Sequence, residues 1–101
     1  MPHPPYQPAP DFCFKLPLRC VEAVFGRDNF DDCGDWVRDW LAEYLAVHPP
    51  AQPGYRLVVD CDFETSHPNP WFHTLNYTAR LPDAQVARLL QQALKDKGLL
   101  D

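Results

Sequence analysis

Three carboxylates occupy every second position of one segment: Asp60, Asp62 and Glu64. On an extended chain, side chains two residues apart point the same way. Three converging carboxylates form the oxygen-rich set that Mg²⁺ or Mn²⁺ prefers. Two such ions would support phosphodiester hydrolysis. The same triplet also arises on any solvated strand face, and that is the leading reading. No catalytic residue, metal or cofactor is therefore assigned. Asp60, Asp62 and Glu64 are kept as the alternative metal set of a phosphoesterase.

The soft ligands offer less. Cys13, Cys20, Cys33 and Cys61, with His3, His48, His67 and His73, show none of the CxxC, HxxxH or CxxH spacings of a zinc site. Cys33 and Cys61 fall in step with neighbouring apolar residues and read as small core hydrophobes. The chain has four glycines and no phosphate-cradling glycine pattern.

Charge is the strongest chemical asymmetry. The formal net charge is -5, and residues 28–64 hold nine of the fourteen acidic side chains but two of the nine basic ones. A negative surface steers a basic partner into rapid encounter and argues against direct binding of nucleic acid. The expected contributors are Asp28, Asp31, Asp32, Asp35 and Asp39. A second feature is the segment His67–His73, stiffened by Pro68 and Pro70. Its adjacent Trp71 and Phe72 would point to opposite faces of a strand, leaving at least one exposed as an interface anchor.

These residues need elements to position them. Residues 1–11 carry five of the twelve prolines and read as an extended arm, with 12–101 as a single domain. Phe12, Phe14, Leu16 and Leu18 alternate with other residues, which predicts a strand; Pro17 points to an edge position or a bulge. Residues 19–25 fit either a continuation of that strand or a helical turn. Cys33, Trp36, Val37, Trp40, Leu41, Tyr44 and Leu45 recur at helical spacing, which predicts a helix over 32–47, capped by Asp31 or Asp32 and stopped by Pro49-Pro50. Alternation predicts a strand over 55–64 and another from Trp71 to Leu81, joined as a hairpin. Pro82-Asp83 opens a last helix that Gly98 closes.

The order β-α-β-β-α implies an α+β fold: a two-layer sandwich of a three-stranded antiparallel sheet with two helices on one face. No apolar run is long enough to span a membrane, and the first residues lack the pattern of a secretion signal, so a cytoplasmic protein is expected. Its high Pro, Ala, Arg and Leu content suits a GC-rich bacterial or phage gene. The expected function is a small acidic, non-enzymatic binding protein. It would be an inhibitor of the immunity or anti-defence type, occluding a basic surface of a protein target. The alternatives are the phosphoesterase and a homo-oligomeric accessory protein, a homodimer among them.

Overall fold

The computed structural model describes residues 9–101, so most of the expected proline arm lies outside the described residues. Strand β1 (Asp11–Pro17) leads directly into helix α1 (Leu18–Phe25), and helix α2 (Phe30–Val47) follows. Strand β2 (Val58–Glu64) is joined through a 3₁₀ turn (Pro70–Phe72) to strand β3 (Thr74–Arg80), and helix α3 (Ala84–Lys97) closes the fold. The three strands form one antiparallel sheet in the order β1-β3-β2. The architecture is α+β, as the patterning implies, but with three helices in the order β-α-α-β-β-α.

The added helix, α1, resolves the ambiguity of residues 19–25. Leu18, Val21 and Phe25 recur at helical spacing, and Val21 is fully buried. Pro17 ends β1 as its last residue, at an edge of the sheet where its missing N–H costs no ladder bond. Backbone hydrogen bonding ties this corner down, with Leu18 N–H donating to His73 O at 2.9 Å.

Neither Asp31 nor Asp32 caps α2. Asn29 holds the cap position, and its side chain instead donates to Phe25 O at 2.8 Å, bridging α1 to α2. Asp31 and Asp32 sit in the first turn, where the helix dipole favours anions. In α3 the expectation holds in detail: the Asp83 side chain accepts from Val86 N–H at 3.1 Å, and Gly98 adopts a left-handed cap.

Alternation across the sheet separates two faces. Phe14 and Leu16 on β1 and Leu75, Tyr77 and Ala79 on β3 are buried in one cluster with Val21, Cys33, Val37 and Leu41 of α1 and α2 and Val86, Leu90 and Leu94 of α3. The opposite face carries Cys13, Lys15, Thr78, Asn76, Asp60, Asp62 and Glu64, and none of these is buried. Strand β3 is sealed on both sides by its neighbours. Both β1 and β2 are edge strands, but the helices cover the core side of β1 at Phe14 and Leu16, whereas the core-facing Cys61 and Phe63 of β2 remain exposed. That corrects the expectation that Cys61 is a core thiol; Cys33 is one.

Candidate functional site

The acidic block folds into two rows, one along α2 and one along β2. On α2, Asp31, Asp32, Asp35 and Asp39 are all exposed, and Asp28 precedes them in a turn with φ 64°. On β2, Asp60 and Asp62 project from the open sheet face and pair in register with Thr78 and Asn76 of β3. The three ion pairs among the described residues are Lys15–Glu64 at 3.5 Å, Arg19–Asp101 at 2.6 Å and Arg80–Asp11 at 3.4 Å. They leave Asp28, Asp31, Asp32, Asp35, Asp39, Asp60 and Asp62 without a cationic partner among those residues.

Cys61 lies between Tyr77 of β3 and the N-terminal part of α2. Burial pushes its thiol above the ordinary value, and the charges of Asp62 on its own strand and Asp31 on α2 push the same way, while Tyr77 and Arg38 oppose them. Asp62 on the strand and Asp31 on the helix are thus the two carboxylates whose charge is felt at Cys61. Beside it, Phe63 is 47% exposed and meets Phe30 edge to face at 5.1 Å. The edge of β2, unpaired among the described residues, therefore presents aromatic surface next to carboxylates of both elements. Phe30 and Phe63 were assigned no partner role from the sequence, because alternation does not distinguish an edge strand from a central one.

Beneath the edge, Tyr77 is 1% exposed and its hydroxyl has no partner at hydrogen-bond distance among the described residues. The thiols of Cys33 and Cys61 lie nearby, and burial raises the phenol well above its ordinary value. Arg38 passes over Gly34 at the same junction, where a glycine lets the helix approach the phenol closely.

The three strand carboxylates are not equivalent. Glu64 is already engaged within the chain: it accepts from Asn76 Nδ2 at 3.2 Å and Thr74 Oγ1 at 3.5 Å, with Lys15 beside it. Those contacts, Asn76 first and Lys15 next, hold its carboxyl below its usual value. Among the described residues, no group of three or more His, Cys, Asp or Glu side chains is placed to hold a metal ion.

Trp71 and Phe72 do not begin a strand. Asn69 Oδ1 accepts from Trp71 N–H at 3.0 Å and, with Pro70, starts the 3₁₀ turn that carries both rings. Trp71 is 61% and Phe72 57% exposed, so both face solvent. Their surroundings differ. The Arg19 guanidinium lies 4.3 Å from the Trp71 ring, at a cleft of about 400 Å³ that also takes in Arg27, Glu22 and His73. Phe72 packs against His67 at 4.7 Å. Trp71 thus borders a cationic cleft and is not grouped with the carboxylates of α2.

A further aromatic surface went unassigned. Trp40 and Tyr44 of α2 and His48 just past its end stack one above another, with ring separations of 5.5 and 4.5 Å. Their i, i+4, i+8 spacing was legible, but the same spacing serves a core stripe. No protein-family model, curated protein or solved structure matches this chain.

Proposed function

We infer that this chain is a small acidic, non-enzymatic binding protein that occludes a basic surface of a protein target, an inhibitor of the immunity or anti-defence type. The observation that carries the reading is the β2 edge, unpaired among the described residues, with carboxylates on α2 and β2 that have no cationic partner among those residues and with exposed Phe63 packed on half-buried Phe30. A basic extended segment of a target would add beside β2. It would gain main-chain hydrogen bonds from the edge and charge pairing from Asp31, Asp35, Asp60 and Asp62. The aromatic surface between the carboxylates would supply the desolvated centre that binding energy needs. A reducing, cytoplasmic setting belongs to the same reading, since all four cysteines are free thiols. Neither nucleic acid nor a membrane surface is a suitable partner for this face, because phosphates would meet its carboxylates. No helix among the described residues is long and apolar enough to cross a membrane.

The test compares the unmodified chain with a triple variant, Asp31→Lys, Asp32→Lys and Asp35→Lys, as baits in lysate of the native host at low and moderate salt. The expected result is a dominant basic protein held by the unmodified chain and released as salt rises. Its association rate should fall roughly tenfold or more on charge reversal. Equal retention by the folded triple variant would overturn the electrostatic reading.

A further inference from the structure

The two edges of the sheet differ in what they can pair with. Two copies joined edge to edge across a twofold axis keep each sheet face on its own side. Antiparallel registers are then limited to those centred on a residue, and outward residues always meet outward residues. On β2 the outward residues include Asp60, Asp62 and Glu64. Registers centred on Cys61, Asp62 or Phe63 set carboxylate directly against carboxylate, an arrangement that disfavours pairing. The β2 edge is guarded against its own kind.

The β1 edge behaves oppositely. Its outward residues Asp11, Cys13 and Lys15 carry a negative, a neutral and a positive side chain in turn. Centring on Cys13 places Asp11 opposite the partner's Lys15 and Lys15 opposite the partner's Asp11. On the core side it places Phe12 opposite the partner's Phe14. Centring on Asp11 or Lys15 would oppose like charges, and centring on Phe12 or Phe14 forms neither opposite-charge contact.

Among the described residues, the space for a second strand is open. A groove of about 440 Å³ touches Phe12, Cys13, Phe14 and Lys15 together with Ala84, Ala87, Arg88 and Leu100. Phe12 and Phe14 face the core side while Cys13 and Lys15 face outward, so a groove that reaches all four runs along the strand's open edge. No strand among the described residues pairs with that edge. Its unmatched N–H and C=O groups form a template for an added strand. Small Ala84 and Ala87 on α3 leave room on the core side.

We propose that a second copy of this chain occupies the groove, with β1 pairing antiparallel to β1 of its partner about Cys13, so that the two sheets continue into one. The docking of a target at β2 is a separate matter, since each β2 edge would lie at an outer end of the joined sheet. In this register the two Cys13 thiols face each other across the axis. Opposed Cα atoms in antiparallel strands lie about 4.5 or 5.5 Å apart, and both separations fall within disulfide range. Diamide, accepting the two thiol hydrogens with their electrons as it becomes its hydrazine, would convert the pair to one disulfide.

The experiment is sedimentation equilibrium on the full chain up to millimolar concentration, with two charge variants. Asp11→Lys and Lys15→Asp each create like-charge contacts across the axis and should each weaken dimerisation roughly tenfold or more. Mixed together they restore both opposite-charge contacts, so the mixture should regain the dimer, a mass twice the 11.6 kDa of the chain. Diamide should crosslink the unmodified chain through Cys13, and Cys13→Ser should abolish the covalent dimer while keeping the non-covalent one. Should either charge variant fail to fold, the crosslink in the unmodified chain decides. A monomer at every concentration overturns the proposal, as does a dimer indifferent to both charge variants or a crosslink through Cys20 or Cys61 in place of Cys13.

Discussion

Replacing Tyr77 with Phe should stabilise this protein. Tyr77 lies on the central strand, 1% exposed, and its ring packs within the core. Its hydroxyl has no partner at hydrogen-bond distance among the described residues. An unsatisfied buried hydroxyl costs roughly 1–3 kcal/mol. The neighbouring thiols of Cys33 and Cys61 are weak donors and acceptors and offset part of that cost. The substitution removes one oxygen, and a void of about 10 Å³ would cost roughly 0.2 kcal/mol. The balance is a gain of about 0.5–1.5 kcal/mol, which for a domain near this size raises the melting temperature by roughly 3–10 °C. Urea unfolding with an unchanged m-value measures it.

A second readout comes from pH. Burial raises the Tyr77 phenol, so this group's stability contribution is complete below the ordinary phenol value, about 10. It is lost above that value, where the unfolded chain ionises and the native one does not. Tyr77→Phe should therefore flatten the alkaline decline in stability. A loss of 1 kcal/mol or more would refute the reasoning. It would mean that the hydroxyl bonds one of the thiols, and Cys33→Ala in both backgrounds would expose that coupling. Because Tyr77 lies beneath the β2 edge, target binding should be unchanged.

The remaining expectations concern the helices and the open face. Gly34→Ala should stabilise α2 by roughly 0.5 kcal/mol, since a helical glycine costs up to about 1 kcal/mol against alanine. The added Cβ would meet the movable end of Arg38 at 2.9 Å and Tyr77 Oη at an ordinary 3.6 Å; a lower melting temperature would show that Arg38 cannot yield. Gly98→Ala should cost about 1 kcal/mol, because φ of 89° is strained for any residue with a Cβ; thermal melts decide, and no loss would mean that the cap rearranges. On the acid side, the Glu64 carboxyl should titrate below the usual glutamate value by NMR, and Asn76→Ala should move it back up, as Asn76 is the first cause of its depression. The stability this carboxylate contributes is present above its unfolded value and lost as pH falls through the depressed one.

Much of this fold could be read along the chain because it is local. The periodicity of Cys33 to Leu45 names α2 and its buried face. Asp83 and Gly98 bracket α3 through hydrogen bonds that span only a few residues. Alternation names the core side of β1 and β3 correctly at Phe14, Leu16, Leu75, Tyr77 and Ala79. Where two local signals conflict, the pattern fails. Alternation continues through Trp71 and Phe72, but Asn69 and Pro70 turn that stretch into a 3₁₀ turn and bring both rings into solvent. At residues 18–25 a short apolar run suits strand and helix alike, and docking of Val21 against the core selects the helix.

The candidate site was half legible. Its carboxylates stand out as a block of charge, whereas their role depends on strand order. Period two states which side of a strand meets the core, but it carries no information on which strand lies alongside. That choice belongs to non-local pairing: β3, last in sequence, inserts between β1 and β2. By doing so it leaves Cys61 and Phe63 at a bare edge with Asp60 and Asp62, and leaves β1 with the other one.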